Sequence, residues 1–166
     1  SELDSLWLEN TKNSLLDKPR LLYVGRVKVE KGTFSLLKIF AKTSLNAELS
    51  IVGKTDQTNF DNSKVKYIGH GYDAAELISI YDKHNIFILP SFTEAHPKVI
   101  DESLSRLKPV IIFEEIAHII QNKKGIFVAK RNEKSLQEMI DFIMKNYQNI
   151  QQNMLKNKLP TKKDFI

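Results

Sequence analysis

Hydrophobic residues fall along this chain in short blocks separated by polar stretches. The blocks at 21–24, 49–52, 65–68, 86–89, 110–113 and 126–128 are brief and rich in β-branched and aromatic residues, which is the pattern of strands. Most are apolar at nearly every position. A strand with one wet face alternates, so this pattern predicts a sheet covered on both sides. Between the blocks, apolar residues recur at helical spacing: Phe34, Leu37 and Phe40 with Ala41; Leu77, Ile80 and Tyr81; Ile100, Leu104 and Leu107; Leu136, Ile140 and Ile143. Such spacing places each set on one helix face.

Alternating strands and helices predict an α/β fold: a Rossmann-like, doubly wound, mainly parallel sheet of about six strands. A helix is expected between the fifth and sixth strands, and His118 falls in it. Residues 1–19 read as a linker or peripheral helix closed by Pro19, residues 20–153 as the domain proper, and 154–166 as a basic tail. Residues 54–64 are a polar loop.

A length of 166 residues suits a single domain, and 42% hydrophobic with 27% charged residues is ordinary for a soluble globular chain. No apolar run approaches the roughly 20 residues that span a bilayer. Cysteine is absent, which excludes disulfides, thiolate nucleophiles and cysteine metal sites and fits a reducing, cytoplasmic setting. The net charge of +5 is uneven: from Lys145 onward there are five lysines against Asp164 alone. That tail suits peripheral contact with the anionic inner face of a membrane, or is a solvated helix with a frayed end. Basic residues are not interleaved with aromatics, so a nucleic-acid partner is not expected. The chain opens at Ser1 without methionine and is read as a piece of a longer protein.

In doubly wound sheets, ligands bind beyond the carboxyl ends of the strands. Five of the six glycines, at 25, 32, 53, 69 and 71, fall on that edge. Arg26 and Lys31 flank the turn after the first strand, where two cations near a helix N-terminus suit a diphosphate; they also fit an ordinary surface turn. After the fourth strand comes a segment in which Pro97 is placed to begin a helix. The amides of Lys98 and Val99 would then face the cleft. Glu94 precedes the helix and Glu102 lies in its second turn, opposite the Ile100–Leu104–Leu107 stripe. By spacing alone Lys98 and Glu102 would equally make a surface pair. His70 and His96 sit on the ligand edge, whereas His84 and His118 fall at a helix end and within a helix. No histidine or carboxylate spacing suggests a metal site.

Two acids with seven residues between them, followed by Lys108-Pro109-Val110-Ile111, resemble the signature of retaining glycosyltransferases of the GT-B fold, family 4. The segment Gly25-Arg26 to Lys31-Gly32 and Gly125 resemble the same family, and the likeness covers about residues 20–145. It implies that Arg26 and Lys31 bind the diphosphate of a UDP-, GDP- or ADP-sugar. It further implies that Glu94 contacts the donor sugar and Glu102 the ribose. The backbone of Lys98 and Val99 would face the phosphates, Ile68, Gly69 and His70 would border the base, and Gly53 would belong to the same edge. Arg26, Lys31 and Glu94 are the residues expected to act in the transfer. Ala95-His96 and Pro97 stand where Gly-Phe and glycine are common. Leu107 replaces a frequent glycine, and Glu114-Glu115 a glycine-rich loop.

The resemblance implies transfer with retention and without a metal or other cofactor, as no Asp-x-Asp motif occurs. A GT-B enzyme also needs an N-terminal acceptor domain, so this chain alone is expected to bind nucleotide weakly and transfer nothing. The rivals are a non-catalytic nucleotide- or sugar-binding module and a sugar-nucleotide epimerase of the same architecture. A response-regulator receiver would need an acidic cluster, whereas the first strand here ends in Gly25-Arg26.

Overall fold

A computed structural model describes residues 2–161 of the chain. Its strands are β1 (Arg20–Val24), β2 (Glu48–Val52), β3 (Val65–Gly69), β4 (Ile86–Leu89), β5 (Val110–Phe113) and β6 (Ile126–Ala129). They form one six-stranded sheet in the order β3-β2-β1-β4-β5-β6, and every pairing is parallel. The chain winds outward from β1 in one direction, then returns to place β4 on its other side. That reversal is the switch point at which such sheets open a crevice. The continuous apolar runs are explained by burial: every residue of β4 and β5 is buried.

The helices are α1 (Thr33–Ala41), α2 (Ala74–Asp82), α3 (Lys98–Ser105), α4 (Glu133–Lys145) and α5 (Tyr147–Met154). The α4 stripe of Leu136, Ile140 and Ile143 is buried as expected. The α1 stripe is the expected one only in part: Phe40 is buried and Leu37 packs against the core. Thr33, Leu36, Ile39 and Phe40 face inward, whereas Phe34 is 42% exposed and Ala41 is exposed. This short helix is apolar around most of its circumference, so periodicity could not orient it.

Two further expectations are corrected. Between β5 and β6 there is a 3-10 turn at Glu114–Ile119, kinked at Ile116, rather than an α-helix. Pro97 has extended backbone and caps α3 from outside, so the helix begins at Lys98. Leu107 adopts a left-handed backbone with φ of 57°, the conformation glycine supplies most readily after a helix.

Residues before Pro19 contribute to the core. A 3-10 turn at Ser5–Leu8 buries Trp7, which meets Tyr81 of α2 edge-on with ring centroids 5.4 Å apart. Arg106, 1% exposed, donates to the carbonyls of Trp7, Glu9 and Asn10 and pairs with Asp82 at 2.7 Å. Lys108 donates to Ser14 Oγ at 2.7 Å. Burial lowers its pKa to about 8, with Asp82 opposing that shift and Arg106 adding to it. At the other end, Leu3 pairs with Thr161 in a parallel bridge. Lys162 and Lys163 of the basic tail lie outside the described residues.

Candidate functional site

The loops after β1 and β4 flank the switch point and are fastened backbone to backbone. The Phe92 amide donates to the Glu30 carbonyl at 3.1 Å. Gly32, with φ of 72°, caps α1 so close to Pro90 that a Cβ there would overlap the Pro90 carbonyl oxygen. Only glycine combines that conformation with that proximity.

This fastening brings two of the sequence candidates into contact. Lys31 Nζ donates to Glu94 Oε1 at 2.8 Å, and Ser91 Oγ donates to the same oxygen at 2.8 Å. Arg26 lies on the same loop, exposed, and no ion pair reaches its guanidinium from any described residue. Its main-chain oxygen accepts the Tyr23 hydroxyl at 2.7 Å. Burial raises the Tyr23 pKa well above its ordinary value, so the hydroxyl remains a donor at neutral pH.

Two helices start beside this pair without side-chain caps. In α3 the Ile100 amide returns to the Pro97 carbonyl, and among the described residues nothing accepts from the amides of Lys98 and Val99. In α1 the amides of Thr33, Phe34 and Ser35 are likewise open. Unpaired N–H groups concentrate the positive end of each helix dipole at the crevice.

Glu102 is buried rather than solvated, with 7% of its surface exposed. It does not form the surface ion pair with Lys98 that spacing allowed. Among the described residues no donor bonds its carboxylate. Burial raises its pKa to about 7; Lys98 opposes that shift and Asp101 adds to it. Among the described residues no fully buried side-chain polar atom lacks a partner, so the Glu102 oxygens keep some contact with solvent, where they can accept from hydroxyl groups arriving on a ligand.

On the far side of β1, the predicted glycines lie edge to edge. The Gly25 amide donates to Val52 at 2.8 Å and the Gly53 amide to Gly69 at 2.9 Å. Tyr67 donates its hydroxyl proton to the Gly53 carbonyl at 2.8 Å and lies 3.3 Å from His70 Nδ1. Ile68 accepts the Tyr72 hydroxyl. The candidates therefore occupy four adjacent strand ends, from β3 through β2 and β1 to β4. Ala95 and His96 are exposed and, with Pro97, line a cavity of about 310 Å³ bounded by Ile119, Lys123 and Lys158. A larger cavity, of about 370 Å³, runs between α2 and the N-terminal turn, and none of the candidate residues lines it. No group of three metal-ligating side chains gathers among the described residues.

Sequence reasoning missed two residues at this edge. His118, expected inside a helix, places Nε2 3.0 Å from the Glu94 carbonyl oxygen. Arg131 stacks its guanidinium on Phe92 and Phe113, 3.9 and 4.5 Å from the ring centroids. It also holds Glu115 at 2.9 Å and reaches Ser35 and the Ser91 carbonyl. That pairing lowers the Glu115 pKa, chiefly through the Arg131 hydrogen bond. The available signal for Arg131 was its place just beyond β6 on the same edge.

The family model "Glycosyl transferases group 1" matches residues 8–159. The chain belongs to this family. Among curated relatives, the capsular polysaccharide biosynthesis glycosyltransferase CapM of Staphylococcus aureus is 27% identical over 157 residues, covering 84% of this chain and 40% of CapM. The chain thus spans about two fifths of the length of that relative. Among solved structures, Anabaena HepE in complex with UDP-glucose superposes with a TM-score of 0.67 at 16% identity, over 83% of this chain and 43% of HepE. The C-terminal domain of a group 1 family protein, LpcC, from Francisella tularensis gives 0.61 at 16% identity. There the match covers 84% of this chain and 81% of the domain. These likenesses establish the fold as that of one group 1 glycosyltransferase domain.

Proposed function

We propose that this chain is the donor-binding domain of a retaining, metal-independent GT-B glycosyltransferase of family 4, which transfers a sugar from a nucleoside diphosphate sugar. The contact between Lys31 and Glu94, with Arg26 exposed beside it at the switch point, carries this reading. A fixed cation, an unpaired cation and two uncapped helix starts beside the switch point support this reading. In this reading Arg26, Lys31 and the amides of Lys98 and Val99 receive the diphosphate. Glu94 accepts from sugar hydroxyls and Glu102 from the ribose.

As the bond between the anomeric carbon and the diphosphate oxygen breaks, negative charge grows on the leaving group. Preorganised cations and helix N-termini stabilise that charge where it develops. Glu94 and Glu102 act as binding groups, distinct from the acid and nucleophile of a glycosidase. The UDP-glucose complex of HepE supports a uridine nucleotide as the first donor to try. The two-fifths coverage of CapM supports an acceptor-binding domain elsewhere in the protein. A cytoplasmic setting with peripheral contact at the inner membrane face fits the excess lysines of the tail.

Calorimetry of this chain with UDP, GDP and ADP tests the reading. One nucleotide is expected to bind, and Arg26→Ala and Lys31→Ala are each expected to weaken it about tenfold, the worth of a charge-assisted hydrogen bond. If neither substitution weakens binding, the phosphate assignment is wrong. Sugar transfer by the chain alone would show that no second domain is required.

A further inference from the structure

Glu94 is held from two directions. Lys31 and Ser91 fix its carboxylate, both from the loops that flank the switch point. The remaining contact is to its main chain and comes from the turn after β5, through His118 Nε2 at 3.0 Å from the carbonyl oxygen. Among the described residues, that is the only hydrogen bond made by the backbone of residues 93–96. Ala95 and His96 are exposed, and a cavity of about 310 Å³ lies against Ala95, His96 and Pro97. On this side the loop is therefore tethered rather than packed.

We propose that His118 is a positioning residue for Glu94: its Nε2–H anchors the Glu94 peptide and so aims the carboxylate at the donor sugar. The inference rests on the donor-site reading above. Rotation of an untethered peptide would swing the side chain that leaves it, and a binding carboxylate must hold its place to about 0.5 Å. The neutral tautomer protonated on Nε2 and the imidazolium both donate, so the tether needs only a proton on that nitrogen. His118 is exposed and its bond contributes little to folding. Its loss is expected to disorder the loop while the domain stays intact.

The test compares the wild-type chain with His118→Ala and with His118→Gln, whose amide nitrogen can donate from a similar reach. A first measurement needs no ligand: backbone 15N relaxation at Ala95 and His96. Order at these amides is expected to fall in the alanine variant and return in the glutamine variant, with unchanged far-UV dichroism in both. The second is calorimetry with UDP, GDP and ADP and the glucose conjugate of each. The alanine variant should keep its affinity for the bare nucleotide and lose about three- to tenfold of the added affinity that the sugar confers. Glutamine should restore it.

If alanine matches wild type in both measurements, or glutamine fails to rescue either, the tether is refuted while the donor site stands. If the wild-type chain binds none of the nucleotides, the donor-site reading fails and takes this inference with it. If a nucleotide binds but its sugar adds nothing, Glu94 is not a sugar ligand and the proposal is overturned.

Discussion

Lys31 and Glu94, 63 positions apart in sequence, share a hydrogen bond of 2.8 Å across the β1–β4 switch point. Lys31 is about one-third exposed and Glu94 nearly buried, so solvent screens only part of the attraction. A double-mutant cycle of Lys31→Ala and Glu94→Ala, followed by urea unfolding, is expected to give a coupling of about 0.5–1 kcal/mol. A coupling of zero would mean that the contact does not persist in solution.

Glu102 predicts a pH dependence of definite sign. Its pKa is near 7 in the folded chain against an ordinary 4.5. Between those values the unfolded state releases the proton while the folded state retains it, so stability falls as pH rises. The loss is complete above about pH 7 and amounts to about 3 kcal/mol. Glu102→Gln removes it. The variant should therefore gain on wild type between pH 4.5 and 7, as read from urea midpoints; parallel profiles would contradict the burial of the charge.

Arg106 predicts a large loss of stability. Removing its guanidinium strands the carbonyls of Trp7, Glu9 and Asn10 and leaves Asp82 without its partner. Arg106→Ala is expected to cost about 3 kcal/mol or more in denaturant unfolding. Trp7 fluorescence should shift to the red as the N-terminal turn comes away. A shift of the indole without loss of stability would show that the turn is an independent appendage.

Gly32 predicts a loss of both stability and binding. Alanine at a left-handed position destabilises by more than about 1 kcal/mol even in open space, and here the added carbon meets the Pro90 carbonyl. Gly32→Ala should lower the melting temperature and, by displacing Lys31, weaken nucleotide binding. An unaffected melting temperature would mean that the two loops are free to separate.

The central strands β4 and β5 were legible in the sequence because, buried at every position, they have no polar alternate to obscure them. The sheet's carboxyl edge was legible because glycines and charges follow the strands directly, as at Gly25-Arg26 and Gly53-Lys54. Lys31 and Glu94 were each placed on that edge, but their direct contact depends on how closely Gly32 approaches Pro90, which no spacing reveals. His118 was missed because the apolar rhythm around it reads as a helix. The kink at Ile116 makes the segment a 3-10 turn, and the histidine meets a carbonyl 24 residues back. Arg106 gave no signal, since its acceptors are main-chain carbonyls almost a hundred residues earlier. Glu102 was placed opposite the core stripe, yet Asp101–Arg106 are all buried. A helix enclosed on every side hides which of its faces is polar.

The stacking of Arg131 between Phe92 and Phe113, with its bonds to Ser35, Ser91 and Glu115, joins the segments that follow β1, β4, β5 and β6 into one plate. Segments tied in this way lose their conformational entropy when the chain folds, not when a ligand arrives. A ligand landing on the plate has little left to order, and the free Arg26 is the main group that must still settle. Binding at such a surface is governed by encounter more than by rearrangement. Association should accordingly be fast and salt-dependent, while discrimination among ligands falls to the dissociation rate.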